Sequence, residues 1–238
     1  MELDILILTA HPDDAEISIG GTIAKFTDNG YKVGIVDFTE GELGTRGTKA
    51  TRRREAEDAS KILKLSYRTN LKIPDGKVKF DNKYLNLVIT EIRKTKPKII
   101  FAPYFNDRHP DHIGAGILAK ESYFFSGLPK IKTKLNGKEQ EPFRPQKLFY
   151  FMMTYEFTPS FINDVTNYID IKMDSILAYK TQFFDPNSNE PETFISKPGF
   201  LEAIKAKAKY YGFKINKDYG EPFFCEESLD YDFKSLLI

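Results

Sequence analysis

The amino-acid sequence predicts an α/β protein: a Rossmann-like three-layer α/β/α sandwich with a mostly parallel sheet. Short apolar runs alternate along the chain with amphipathic helical patterns, which is the order of βαβ units. The apolar runs contain few alternating polar residues, which is typical of strands buried on both faces. At about 150 residues per domain, the length of 238 residues predicts a single domain over residues 1–238.

The predicted strands and helices follow one another in a regular order. Buried strands are predicted at residues 3–8, 33–38, 99–102 and 148–153. Helices are predicted where apolar residues repeat at spacings of three and four. The residues of these stripes are Ile19, Ile23 and Phe26; Ala56, Ala59 and Leu63; Leu85, Val88, Ile89 and Ile92; Ile169, Met173, Ile176 and Leu177; and Leu201, Ile204, Ala208 and Tyr211. Residues 128–145, rich in Lys, Pro and Asn-Gly, are predicted to form a surface loop.

The composition excludes several classes of protein. Hydrophobic residues make up 41% and charged residues 29% of the chain, which excludes a disordered protein. A net charge of +1 provides no excess charge to attract nucleic acid or an anionic membrane. The single cysteine, Cys225, excludes a disulfide framework and a Cys-rich zinc site. No signal peptide or membrane span is expected from the sequence, so we expect a cytoplasmic protein.

The three histidines occur in two short motifs, and each motif follows a predicted strand. His11 begins the motif HPDD, and His109 and His112 lie in the motif DRHPDH at residues 107–112. Ligands of open parallel sheets bind outside the carboxyl ends of the strands, so the two motifs are expected to converge. Either motif alone is more often a helix cap with favourable dipole interactions. Two motifs at one sheet edge that together use every histidine favour a metal site.

Spacing favours His11, Asp14 and His112 as the metal ligands. A catalytic zinc takes three protein ligands and keeps a fourth position open for water. At the start of a helix, positions i and i+3 share a face, which pairs His11 with Asp14. Two imidazoles and one carboxylate suit Zn²⁺, and they also suit Fe(II) or another divalent metal.

The remaining polar side chains of the two motifs are candidates for the chemistry around the metal. Asp13 is free to act as a general base on the attacking water. His109 shares a helical face with His112, so it is a candidate to stabilise an oxyanion or to protonate a leaving amine. Asp111 is a candidate to orient one of the imidazoles.

The two histidine motifs resemble those of the PIG-L/LmbE superfamily of zinc-dependent N-acetylglucosamine deacetylases. Further segments, spread over most of the chain, are similar to the bacillithiol-biosynthesis deacetylases, which remove the acetyl group from N-acetylglucosaminyl-malate. These segments are GELGTRGT at 41–48, Arg52, Glu55-Ala56, PDG at 74–76, DR at 107–108, YKTQ at 179–182 and the helix after Pro198.

The resemblance implies residue roles that agree with the spacing. It implies metal binding by His11, Asp14 and His112, and so selects Asp14 over its neighbour as the ligand. It implies that Asp13 is the base and that His109 has the acid or oxyanion role.

Two arginines are candidates for substrate binding. Arg52 aligns with a family arginine that contacts the aglycone or hydroxyl groups of the substrate, and a guanidinium suits a carboxylate. Arg108 is a second candidate. Some members of the family have a Tyr near the oxyanion where Phe200 falls in this chain, so we assign no phenolic oxyanion donor.

The expected reaction is hydrolysis of N-acetylglucosaminyl-malate to glucosaminyl-malate and acetate. Three alternatives remain open: an amidase of bacillithiol S-conjugates, a chito-oligosaccharide deacetylase and a non-catalytic metal- or sugar-binding protein. The expected partner is a small-molecule amino sugar conjugate, with no nucleic acid or membrane. The resemblance also implies a homo-oligomer, often a hexamer in this branch.

Overall fold

A computed structural model of the chain describes residues 1–230, and its elements follow the predicted alternation. The strands are β1 Ile5–Thr9, β2 Val33–Asp37, β3 Tyr67–Asn70, β4 Ile99–Pro103, β5 Lys134–Leu135, β6 Lys138–Glu139, β7 Lys147–Phe151, β8 Phe161–Asp164 and β9 Gly220–Phe224. The helices are α1 Asp14–Asp28, α2 Lys49–Ile62, α3 Asn82–Thr95, α4 Pro110–Phe125, α5 Ile169–Leu177 and α6 Phe200–Phe213.

Seven of the strands form one sheet in the order β3-β2-β1-β4-β7-β9-β8. Strands β3, β2, β1, β4 and β7 pair in parallel, whereas β9 pairs antiparallel with both β7 and β8. The predicted α/β fold with a mostly parallel sheet is therefore confirmed. The segment predicted as a surface loop, 128–145, contains the small antiparallel hairpin β5–β6.

Strand β1 has a core on each of its faces because successive side chains of a strand point to opposite sides of the sheet. Ile5 and Ile7 pack in the cluster that contains the apolar residues of α1. Leu6 and Leu8 pack in the cluster that contains the apolar residues of α3 and α4. Helices therefore cover both faces of the sheet, as the continuous apolar runs predict.

Helix α1 is interrupted at Ile19, whose φ of −133° and ψ of 23° are not helical. In an uninterrupted helix the amide of Thr22 would donate to the carbonyl of Ser18. At this interruption Lys172 Nζ donates to Ser18 O at 3.0 Å, and Glu221 Oε2 accepts from Thr22 N at 2.7 Å. Lys172 and Glu221 are themselves paired at 2.6 Å and are both buried. This ion pair binds backbone groups on both sides of the interruption and ties α1 to α5 and β9.

The two histidine motifs lie at one edge of the sheet because β1 and β4 are parallel neighbours, with Ile7 paired to Phe101. Each motif follows the carboxyl end of its strand and leads into a helix, α1 or α4. Among residues 1–230, no helix combines the length and the hydropathy that crossing a membrane requires.

Candidate metal centre and active site

The turn between β1 and α1 holds Asp13 and Asp14 in different directions. Asp13 occupies the N-cap position of α1 without a capping hydrogen bond from its side chain, and its φ of 104° lies in the left-handed region that residues other than glycine seldom adopt. Asp14 is the first residue of the helix, and its Oδ2 accepts a hydrogen bond of 2.8 Å from the backbone amide of His11. His11 Nδ1 lies 3.6 Å from the same oxygen. The expected pairing of His11 with Asp14 is present in this turn.

The turn between β4 and α4 brings His112 to the same carboxylate. His112 Nε2 lies 3.3 Å from Asp14 Oδ1. Its other ring nitrogen, Nδ1, lies 2.9 Å from Asp107 Oδ1. A carboxylate only accepts hydrogen bonds, so this contact places a hydrogen on Nδ1, and in the neutral ring the lone pair of Nε2 is then directed at the site.

His11 is oriented from its outer side by two carboxylates. Its Nε2 lies 3.2 Å from Asp75 Oδ1 and 3.4 Å from Asp111 Oδ2. Asp111 is fixed in turn, because it accepts hydrogen bonds from the amides of Gly76 and Val78 at 2.7 and 3.1 Å. These contacts favour a hydrogen on Nε2 and leave Nδ1 as the nitrogen that faces Asp14.

The donor set of this centre fits a divalent metal ion. The ring centroids of His11 and His112 are 5.4 Å apart, and ligand atoms of all three histidines lie within 4.8 Å of one another. His109 also falls within this distance, but its Nδ1 already accepts a hydrogen bond from the amide of Asp111 at 3.2 Å. This bond leaves Nε2 as the one ring nitrogen through which His109 could ligate, and Asp14 stays the predicted third ligand because its carboxylate faces both His11 and His112. Two imidazole nitrogens and a carboxylate are a common donor set for Zn²⁺ and Fe(II).

Sequence reasoning did not single out Asp107 or Asp75 as orienting residues. Asp107 faces His112 with Oδ1 and accepts with Oδ2 from the amide of Thr154 at 2.7 Å. Burial favours its neutral form, but the hydrogen bonds from His112 and backbone amides outweigh this effect and lower the pKa of Asp107 to about 2. Both residues lie in loops, where no periodicity indicates the direction of a side chain.

The carboxylate of Asp13 pairs with Arg52 rather than with the metal centre. Arg52 Nη2 donates to Asp13 Oδ2 at 2.7 Å and to the carbonyl of Pro12 at 2.9 Å. Its Nη1 donates to Gln182 Oε1 at 2.9 Å, whereas its buried Nε has no partner among the described residues. Burial raises the pKa of Asp13 to about 7, against the opposing charge of Arg52. A carboxylate with this pKa is suited to proton transfer near neutral pH.

His109 caps α4 from the edge of the centre. Its ring centroid is 4.8 Å from that of His11, and burial, together with the charges of His11 and His112, lowers the pKa of His109. Because Nδ1 accepts the amide hydrogen of Asp111, the neutral ring carries its hydrogen on Nε2. This arrangement favours a role for His109 as a neutral hydrogen-bond donor to the oxyanion over its alternative role as the acid that protonates the leaving amine.

A cavity of about 630 Å³ opens at the metal centre and is lined by all of the predicted site residues except Asp111. One wall is apolar, and the side chains of this wall are Ile17, Met153, Phe194, Ile195, Phe200 and Ile204. Arg108 lies in the cavity with its guanidinium carbon 4.1 Å from the centroid of the Phe194 ring. The substrate-binding roles of Arg52 and Arg108 remain predictions.

Comparison with known proteins identifies relatives over most of the chain. The family model described as PIG-L, GlcNAc-PI de-N-acetylase, matches residues 6–123. A diacetylchitobiose deacetylase from Thermococcus kodakarensis is 30% identical over 191 residues, which cover 75% of this chain and 70% of that protein. A probable N-acetyl-α-D-glucosaminyl L-malate deacetylase 2 from Bacillus cereus is 23% identical over 197 residues, covering 76% and 84%.

The fold agrees with these sequence relationships. The crystal structure of a conserved protein from Thermus thermophilus superposes with a TM-score of 0.87 and 35% identity, covering 97% of this chain and 98% of that one. The resemblance of the histidine motifs to those of the PIG-L/LmbE superfamily is thereby confirmed. This chain belongs to the PIG-L family.

Proposed function

We propose that this protein is a metal-dependent deacetylase that hydrolyses the acetamide of an N-acetylglucosaminyl conjugate, with N-acetylglucosaminyl-malate as the substrate. One observation carries the proposal: Asp13, held by Arg52 at 2.7 Å, lines the same cavity as His11, Asp14 and His112 without being needed as a ligand. A site that only bound a metal or a sugar would have no use for such a carboxylate.

The metal proposed for this centre is Zn²⁺, and Fe(II) is the alternative. When bound, the ion supplies Lewis-acid polarisation of the acetamide carbonyl and lowers the pKa of a coordinated water toward ~7. The single cysteine of the chain supports a reducing, cytoplasmic location, in which Fe(II) would also persist.

Asp13 performs the proton transfers. It removes a proton from the water that attacks the carbonyl carbon, and the pair with Arg52 favours the ionised carboxylate against the effect of burial. As the bond between carbon and nitrogen breaks, the same carboxyl group returns the proton to the leaving amine. The products are acetate and the free amino sugar.

His109 stabilises the oxyanion. Its Nδ1 is occupied by the amide of Asp111, so Nε2–H is the group available to donate to the developing negative charge. Donors of this kind contribute about 3–4 kcal/mol where they have been removed by mutation. Because the donor does not have to be charged, the lowered pKa of His109 is compatible with this role.

The choice of conjugate is supported by the bacillithiol-type segments and by the similarity to a probable N-acetylglucosaminyl-malate deacetylase. The main alternative is chito-oligosaccharide deacetylation, which the similarity to a diacetylchitobiose deacetylase favours. An amidase of bacillithiol S-conjugates would use the same residues on a larger amide.

The test is a direct comparison of substrates with the metal-loaded protein. N-acetylglucosaminyl-malate, N,N'-diacetylchitobiose, N-acetylglucosamine and a bacillithiol S-conjugate are each incubated with the protein, and the products are identified by mass spectrometry. We expect acetate and glucosaminyl-malate from the first compound, at the highest kcat/KM, and loss of turnover on chelation. A higher kcat/KM for chitobiose would transfer the assignment to that substrate, and metal binding without acetate release from any of them would contradict deacetylation.

A further inference from the structure

The cavity is larger than the metal centre, and it is lined by positively charged side chains that do not take part in that centre. A volume of about 630 Å³ lies within the range of sites that take drug-sized ligands, so it accommodates an aglycone beside the amino sugar. The carboxylates that line it already have partners. Asp13 pairs with Arg52, Asp14 faces two histidines, and Asp75 faces His11.

Lys207 is a cation of this cavity that no step of the proposed reaction uses. It lies on α6, one turn beyond Ala203 and Ile204 and two turns beyond Phe200, which line the same cavity. In the part of the chain that the structure describes, no carboxylate oxygen lies within 4.0 Å of its Nζ. Burial, together with the positive charge of Lys172, lowers the pKa of Lys207 to about 8, against the opposing charges of Glu156 and Asp107.

The ammonium group of Lys207 retains hydrogen-bonding capacity. It donates one hydrogen bond, to the carbonyl of Met153 at 2.7 Å. An ammonium carries three N–H donors, so two of them are available to a ligand. Arg108 also lines the cavity without a carboxylate within 4.0 Å among residues 1–230, and its guanidinium is held against Phe194.

We propose that Lys207, together with Arg108, binds an anionic group on the aglycone, a carboxylate or a phosphate, and so makes the site selective for anionic N-acetylglucosaminyl conjugates. This inference rests on the proposed function and narrows its substrate class. Lys207 is half-buried and has no ion-pair partner within 4.0 Å among residues 1–230, so it loses hydration without a close charge to replace it, and an anionic substrate would relieve this penalty.

The test compares matched anionic and neutral substrates in wild type and in the variant Lys207→Gln. The substrates are N-acetylglucosaminyl-malate, its dimethyl ester and N-acetylglucosamine 1-phosphate. Gln retains a donor for Met153 O but removes the charge. We expect the variant to raise KM for the dicarboxylate by about 10- to 100-fold, which is the effect of a lost hydrogen bond to a charged group. The kcat for the dicarboxylate and the KM for the ester should change little. The phosphate arm shows which kind of anion the site accepts.

The control variant is Lys209→Gln, which removes an exposed lysine of the same helix and should leave all three KM values unchanged. Equal kcat/KM for acid and ester in wild type would overturn the inference and leave deacetylation intact. An equal loss on acid and ester in Lys207→Gln would also overturn it, because the lysine would then only support the cavity wall.

A binding measurement separates this inference from the proposed function. If wild type released acetate from none of the substrates, the proposed function would fail, and calorimetric titration with free L-malate would still test the anion site. Binding to wild type that is lost in Lys207→Gln supports the inference. Absence of malate binding to wild type in that case overturns it.

Discussion

Arg52 Nη2 donates a hydrogen bond of 2.7 Å to Asp13 Oδ2, and both side chains are buried. The pair joins the N-terminal turn of α1 to the buried face of α2. It gives Arg52 a defined influence on the proposed base, in addition to the substrate contact that its family resemblance implies. The two roles have different kinetic consequences, so they can be separated by experiment.

The first prediction concerns the pH dependence of kcat/KM in Arg52→Met. Asp13 acts as a base only when ionised, and the positive charge of Arg52 lowers its pKa. Removal of the charge should therefore raise the pKa of Asp13 and move the acidic limb of the profile to higher pH. Activity should fall at pH 7 and recover partly in alkaline solution.

Arg52→Lys is the matched control, because it keeps the charge and should shift the profile less. If Arg52 only contacts substrate, Arg52→Met would raise KM equally at every pH and leave the acidic limb in place. That result would contradict the coupling of Arg52 to Asp13.

Asp13→Asn tests the base itself. Asn has nearly the same shape and tolerates the left-handed backbone of this position, so the fold and the bound metal should be retained. Without the carboxylate, kcat should fall by about 10²- to 10⁴-fold, the usual contribution of a general acid–base group. Metal content by atomic emission and kcat by acetate release are measured together. Near-normal turnover in this variant would show that another group takes the proton.

Asp107→Asn tests the orientation of His112. Loss of the charge that holds Nδ1–H should weaken metal affinity by about 10- to 100-fold, as partners of metal-bound histidines usually do. His112→Ala is the reference variant and should lose the metal. Both are followed by titration of the metal-free protein with Zn²⁺ in a calorimeter. Unchanged affinity in Asp107→Asn would mean that the imidazole is positioned by packing alone.

Glu221→Ala should destabilise the fold without touching the cavity centre. The change leaves Lys172 buried without its ion-pair partner and removes the carboxylate that accepts from the amides of Gly21 and Thr22. Loss of one member of a buried ion pair typically lowers the free energy of unfolding by about 3–5 kcal/mol. Urea denaturation measures the effect.

Asp58→Ala is the control for this stability measurement. Asp58 forms an exposed pair with Lys61, so its removal should leave the free energy of unfolding nearly unchanged. A loss in Glu221→Ala as small as in this control would show that the buried pair contributes little.

The sequence predicts the fold where burial imposes a clear pattern. Strands β1, β2, β4 and β7 are buried runs, and each lies within two residues of its predicted bounds at either end. Strand β3 was not predicted because it is a half-buried edge strand whose four residues include Arg68. Strands β8 and β9 were also missed, and Pro222 within β9 weakens the strand pattern.

The sequence predicts the part of the site that is formed by motifs directly after strands. His11 and His112 meet at Asp14 because the strands that precede them, β1 and β4, are neighbours in the sheet. Asp107 and Asp75 lie in loops whose paths depend on hydrogen bonds with distant backbone groups. One example is the hydrogen bond that the backbone amide of Leu43 donates to Asp75 Oδ2. These contacts have no signature in periodicity, and so their roles emerged only from the structure.

The backbone of Asp13 has an evolutionary consequence. A φ of 104° is readily adopted by Gly, is tolerated occasionally by Asn and Asp, and is unfavourable for most other residues. Of these three, only Asp can take a proton from water. A homologue that no longer needs hydrolysis can therefore have Asn or Gly at this position and keep its fold. A change to a branched residue would damage both the fold and the hydrolytic activity. The residue at this position therefore distinguishes homologues that can hydrolyse a substrate from homologues that have lost the activity.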